Sequence, residues 1–446
     1  MAMASLLSCR KYVENVPIQG QRVLVYTQDF RLLMDNREQL EKAIGIPPVL
    51  SSDDVDLTAQ TLQDNIMSNN IRRAVYTWGK PFYVDRNNDY DWDILYAANY
   101  VCNVVINGVM ESKNGLPEVK NAILGEALVH RAYNFFTLVN LYAKQYDAAS
   151  AGKDPGIPIL LKPELLGNLT RRTVKDTYEQ IIADIRQAIP FLPGKPVSNT
   201  RPSKAAAYAL LSKVYLNMRD FASAAAFADS SLAISGQLYD YNEAIAGSSP
   251  VFPAQYNDVQ VLLRKVPRQT YSAIQLSQPL LDLLGTKDIR YELFVKSGTR
   301  FYPSFTGLGY WSRQNYGDGP AVGLSVNETW LIKAECLARA GKKDEAVTML
   351  NTLRKLRFRP ADYADLAAAT ADAALQLVVD ERRREFFGTG LRWFDQRRLN
   401  KDALFAKPVT RVFNNVTYTL EPDGNGYVFP LASILITQNP EITQNP

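Results

Sequence analysis

Apolar residues recur along most of this chain at the three-and-four spacing of one helix face, and only short stretches alternate as strands do. From 91 to 109 that spacing predicts a first long helix carrying Trp92, Tyr96 and Asn103. A second is expected over about 116–145, closed by Gly152, Pro155, Gly156 and Pro158, which a regular helix does not hold without loss. Thr173, with Asp176 three residues on, has the form of an N-terminal cap for a third helix, and Pro190 and Pro193 stop it. Leu210, Leu211, Val214, Tyr215 and Met218, then Asp220 and Phe221, then Ala224, Ala225, Ala228 and Leu232, predict a fourth and fifth helix as a pair. This is the tetratricopeptide pattern, in which small residues let two antiparallel helices approach closely. Trp330, Ala334, Leu337 and Ala338, then Gly341 to Ala346, then Val347, Leu350 and Leu353, repeat it. The copies stand too far apart in sequence to predict a continuous solenoid. The expected fold is mostly α, with tetratricopeptide-like helical pairs as a scaffold for irregular loops and a few short strands.

The densest segment is 380–399, with closely spaced charges, Gly388 and Gly390, and four aromatic residues. Glu381 with Arg384, and Arg382 with Glu385, are three residues apart and are expected to pair along a helix. The two glycines permit positive φ, and a short helix is expected from about Leu391. Two loops rich in aromatic, Gly and Pro residues stand out at 76–85 and 301–316. Strands are expected near 259–263, 310–313 and 409–418, where β-branched and aromatic residues concentrate.

No Gly/Ser- or Pro-rich linker divides the 446 residues into blocks, so one packed unit is expected. Fifty basic and 46 acidic residues nearly balance, and no basic run interleaved with aromatics suggests a nucleic-acid groove. No window is long and apolar enough for a membrane-spanning helix. The three cysteines, Cys9, Cys102 and Cys336, have no paired spacing, which argues against a disulfide framework and a zinc site. Cys102 and Cys336 fall in helical apolar patterns and are expected to be buried.

Catalytic chemistry is poorly supplied. His130, the single histidine, sits mid-helix and reads as a satisfied helix-face residue. Neither a Walker A loop nor a dinucleotide fingerprint is present, so no cofactor is expected. Asp380, Glu381 and Glu385 are the nearest approach to a glycosidase cluster, but each has an arginine within helical reach. Such pairing lowers a carboxyl pKa rather than raising it towards that of a general acid. No catalytic residue is assigned.

The segment 380–399 resembles the C-terminal signature of the SusD/RagB family of outer-membrane nutrient-binding lipoproteins, and other segments agree in order. Gly125 to Tyr142 resembles the family helix that begins Gly-Glu-Ala and continues with Arg-Ala. Pro155-Gly-Ile-Pro158 follows, then Thr173 to Tyr178 with Ile182, Asp184, Leu192 and Pro193, then Arg201 to Leu211. Phe429-Pro-Leu-Ala and Asn439 to Pro446 resemble the family's terminal motif, departing from it at Ala432 and Leu435. The resemblance runs from about Trp92 to the last residue, and is loose before it and over 240–320.

The resemblance implies a single SusD-like unit over 1–446. Within it an N-terminal segment at 9–90 packs on the scaffold, first helical pairs span 91–235, an irregular ligand-face insert spans 236–325, and late helical pairs with the C-terminal segment span 326–446. It implies a lipidated Cys9, since Leu6-Leu-Ser-Cys9 has the form of a lipoprotein box; eight residues before it are too few for a whole signal, whose remainder is expected to have been trimmed. It implies a protein anchored by lipid at the cell surface that binds an oligosaccharide and delivers it to a SusC-type TonB-dependent transporter. A peptide ligand, or a tetratricopeptide-like adaptor for a protein partner, is the alternative. Ligand contacts in the family come from loop aromatics, which can stack on the C–H face of a pyranose. Trp78, Phe82 and Tyr83 in the early loop and Tyr302, Tyr310, Trp311 and Tyr316 in the late one are the candidates, with Arg313, Asp85, Arg86 and Asn87 as polar helpers.

Overall fold

The computed structural model describes residues 24–84, 87–164, 167–267, 273–316 and 322–446. Among these, twelve helices of eight residues or more carry the fold: α1 Thr27–Met34, α2 Gln60–Met67, α3 Asn70–Thr77, α4 Tyr90–Gly108, α5 Pro117–Tyr142, α6 Val174–Ala188, α7 Lys204–Asn217, α8 Phe221–Ile234, α9 Val326–Arg339, α10 Lys343–Lys355, α11 Ala371–Phe386 and α12 Leu391–Leu399. Strand is limited there to four two-stranded ladders. Val261–Leu263 pairs with Leu324–Ser325, Val295–Ser297 with Leu308–Tyr310, and Val409–Phe413 with Val416–Leu420, all antiparallel, while Lys42–Ala43 runs parallel to Val266–Pro267. The last hairpin turns at Asn414 and Asn415, whose φ of 49° and 62° are the left-handed pair that a tight hairpin demands. The strand expected at 310–313 ends at Tyr310, and Arg313 begins a short 3-10 turn.

Helix α5 is buried without a break from Ile123 to Tyr142, because α4 and α6 pack on its flanks. Its polar residues are therefore answered inside the protein, as burial requires. Arg131 grips both carboxylate oxygens of Asp184 at 2.7 and 2.8 Å and donates to Asn103 at 2.8 Å. Asn103 in turn donates to the Leu160 carbonyl and the Tyr96 hydroxyl to that of Pro158, which straps the Pro155-to-Pro158 segment along α4. At the chain end the Asn445 amide donates to the Tyr142 and Phe429 carbonyls, both at 2.8 Å. Arg131, Asp184 and Asn445, three of the residues that carry the family resemblance, are thus buried polar ties. The capping box at Thr173 and Asp176 forms as its spacing predicts.

Small residues bring α7 and α8 together, with Ser212 donating to the Ala224 carbonyl and Ser231 to that of Ala205. One expectation is corrected: the two hairpins do form a continuous stack. Helix α8 packs directly on α9, α7 also touches α9, and Lys213 pairs with Glu328 at 2.9 Å. Distance in sequence misleads here because the intervening segment leaves and returns at one edge, where the backbone of Val326 donates to Gln260.

Gly388 and Gly390 turn the chain between α11 and α12 with φ of 74° and 87°. A Cβ on Gly388 would lie 2.4 Å from the Tyr310 ring, so this close approach requires glycine. Glu381 and Arg384 pair as expected, at 3.2 Å. Arg382 and Glu385 do not: Arg382 faces Asp395 at 3.1 Å, and Glu385 faces Arg357 and Arg290, each at 2.7 Å. For these two side chains the facing elements, rather than the next helical turn, supply the partners.

Candidate functional site

A cleft of about 410 Å³ opens between the segment at 53–56, the residues Ser277 and Pro279, helices α11 and α12, and the strand that carries Arg411. Its walls are fixed by side chains reaching far along the sequence. Arg392 grips both oxygens of Asp53 at 2.7 Å, Arg383 donates to Asp54 at 2.7 Å, and Ser277 donates to the Asp53 carbonyl. Burial alone would raise the Asp53 carboxyl, but Arg392, Arg383 and Arg411 overcome it and hold the group below the usual carboxylate range. Arg411 donates to the carbonyls of Leu50, Ser51, Ser52 and Tyr76, and its guanidinium lies over the rings of Tyr76 and Trp78. These groups are framework.

The remaining polar lining comes from Asp56, Gln376, Asp380, Gln396, Asn400, Lys407 and Thr410, set beside Phe405 and Tyr427. Asp380 accepts from Gln376 at 2.9 Å and makes no ion pair among the described residues. Burial raises its carboxyl, opposed by Gln376 and more distant arginines. Glu381, one residue on, is buried against Arg290, Arg354 and Arg384, which overcome the burial penalty and hold it down at about 2. Glu385 is lowered in the same way, burial being outweighed by Arg357 and Arg290.

The aromatic candidates divide sharply. Trp78 is 8% exposed, caps α3 with a φ of 53°, and donates its indole N–H to the Ser51 carbonyl. Phe82 is buried against Phe429. Tyr83 is buried too, and it lines a second cavity of about 250 Å³ with Asn69, Arg72, Tyr90 and Asp91. In the late loop Tyr310 packs on Phe387, Trp311 and Phe301 meet in a T-shaped pair, and the Tyr316 hydroxyl donates to the Leu293 carbonyl; all three are half-buried. Arg313 is held by Asp258 at 2.7 Å and lies over Phe252. Tyr302 differs, being 90% exposed. Asn87 is exposed, while Asp85, Arg86 and Cys9 lie outside the described residues.

The late loop is tied to the cleft wall. Gln275 accepts from the backbone of Thr58 and Ala59 and donates to Thr58 and Thr306, and Thr61 donates to the Ser304 carbonyl. Residues 53–61 therefore line the cleft at one end and hold the Tyr302 loop at the other. His130 is buried in α5 with Lys265 at 3.1 Å, and burial, then that cation, keeps it neutral. No group of three or more His, Cys, Asp or Glu among the described residues is placed to hold a metal.

Residues 37–216 match a family model described as starch-binding and associating with the outer membrane, and residues 326–446 match the model of the SusD family. The chain belongs to the SusD/RagB family. Its match to SusD-like protein P2 of Formosa agariphila is 30% identical over 135 residues and spans 25% of that relative's length. A SusD superfamily structure from Bacteroides thetaiotaomicron superposes with a TM-score of 0.76 at 21% identity, covering 95% of this chain and 100% of that one. A SusD-like carbohydrate-binding protein from Bacteroides vulgatus gives 0.70 at 17% identity, covering 94% and 97%. A laminarin-binding SusD-like protein gives 0.64 at 17%, covering 94% and 98%. At these identities the likeness establishes the SusD fold. The family is one of carbohydrate-binding proteins of the outer-membrane surface, and no helix of the described residues is long and apolar enough to cross a membrane. In this SusD protein Asp53 and Asp56 carry no mark in the sequence, and the charged 380–399 segment that holds Asp380 and Gln396 does not announce a cleft, because the four meet only when 53–56 docks against α11 and α12.

Proposed function

We propose that this protein captures an oligosaccharide at the cell surface and delivers it to a SusC-type TonB-dependent transporter, anchored through a lipid on Cys9. The cleft carries the glycan reading: about 410 Å³ suits one or two sugar rings, and amides, carboxylates and hydroxyls stand beside the Phe405 and Tyr427 rings. Tyr302, exposed on a loop braced by the cleft wall, supplies a stacking face for a longer chain. No bond is made or broken. The pairing of Glu381 and Glu385 with arginines supports a structural role for both, since a glycosidase acid needs a raised pKa. Affinity is modest, in the μM to mM range or about 4 to 8 kcal/mol, which allows release into the transporter.

A glycan array with laminarin and starch oligosaccharides tests this. Binding to at least one glycan is expected, and Tyr302→Ala should weaken it about tenfold, or about 1.4 kcal/mol, without changing the melting temperature. An array without binders refutes the reading. Co-purification of an outer-membrane barrel with the full-length lipoprotein tests the transporter partnership.

A further inference from the structure

We infer that Asp380 determines the specificity of the cleft and selects a neutral pyranose glycan over one that carries carboxylates; this rests on the cleft being the glycan site. Three carboxylates cluster at 380–385, and two are closed to any ligand. Glu381 is bound by three arginines, and Glu385 by Arg290, Arg357 and Asn327. Asp380 lines the cleft, held only by the Gln376 amide at 2.9 Å among the described residues.

The arginines around it are already engaged. Arg392 is bidentate on Asp53, Arg383 is committed to Asp54 and the Asp53 carbonyl, and Arg411 is ringed by four backbone carbonyls. Lys407, exposed, also lines the cleft and makes no ion pair among the described residues, so it is the one lining cation left to meet an acidic sugar. A uronate placed against Asp380 would therefore meet like charge with no unpaired arginine to offset it, and like-charge juxtaposition is strongly unfavourable. A neutral sugar meets the opposite situation. The Asp380 carboxylate can accept from two ring hydroxyls, and Gln396, whose oxygen already accepts from the Asp53 backbone, and Asn400 line the same cleft. Burial that raises the Asp380 carboxyl is relieved by hydroxyls donating to it, so neutral-glycan binding weakens as pH falls and Asp380 protonates.

The test uses an array of neutral and uronate oligosaccharides, followed by calorimetric titration of the best binder against the wild-type chain and Asp380→Asn. The expected result is that binders are neutral and that Asp380→Asn weakens them at least about tenfold. The melting temperature should stay within about 1 °C, since no ion pair is lost. Binders confined to uronates, or unchanged affinity in Asp380→Asn, would overturn the inference while sparing the glycan reading. An array with no binders fails that reading itself.

Discussion

Glu381→Gln separates a structural carboxylate from a chemical one. Glu381 is fully buried, with Arg290 at 2.7 Å, Arg354 at 2.9 Å and Arg384 at 3.2 Å. The cluster holds four arginines, counting Arg357, against Asp288, Glu381 and Glu385, so the variant leaves four cations facing two anions. Breaking a buried pair from one side costs about 3–5 kcal/mol. The displacement of the Glu381 carboxyl from 4.5 to about 2 independently corresponds to about 3 kcal/mol, at about 1.36 kcal/mol per unit. An unfolding entropy of about 2.1 cal/mol/K per residue gives a chain of 446 residues roughly 0.9 kcal/mol/K. A loss of about 3 kcal/mol then lowers Tm by about 3–4 °C. The sign with pH follows from the depressed folded pKa: the stabilisation is present above the unfolded value of 4.5 and is lost as pH falls towards 2. Calorimetry of wild type and variant should show the gap in Tm at pH 7 closing as pH approaches 3. An unchanged Tm at pH 7, or a gap that persists in acid, would refute the argument. Loss of a glycan-cleaving activity at unchanged Tm would assign Glu381 to chemistry instead.

Lys265 is buried with its ammonium donating to the Leu40 carbonyl and His130, over the Tyr133 ring, and burial pushes its pKa down to about 7. The unfolded chain holds that proton up to about 10.5, so stability rises with pH between the two values. Against Lys265→Met, the wild type should gain stability from pH 7 to 9 by differential scanning fluorimetry; parallel profiles would count against a buried amine. Asn445→Ala leaves the buried Phe429 carbonyl without its donor and strips one hydrogen bond each from Arg171, which keeps the Thr443 carbonyl, and from the Tyr142 carbonyl, which keeps Arg171; it should lower stability by about 2 kcal/mol in urea titration.

Local pattern and global assembly were legible to different degrees. The capping box at Thr173, the turn at Gly388 and Gly390, and the paired helices around Ala224 and Ala334 depend on neighbours in sequence, and the expected elements match the structure. The Arg382 to Glu385 pairing failed because both side chains are buried and find nearer partners on other elements. Likewise the two hairpins stack although a long segment separates them, a fact that periodicity does not encode. Aromatic density marked the loops but not exposure: Trp78 and Phe82 fill core space, while Tyr302 is exposed to solvent. The cleft was invisible for the same reason, since Asp53, Ser277, Asp380 and Tyr427 belong to four distant segments whose side chains have no shared local signal.

The most direct measurement is a crystal structure of the protein with the best glycan from the array. Sugar rings are expected in the cleft between 53–56 and α11, with hydroxyls within hydrogen-bond distance of Asp380. A glycan bound on another face, with the cleft unchanged, would contradict it.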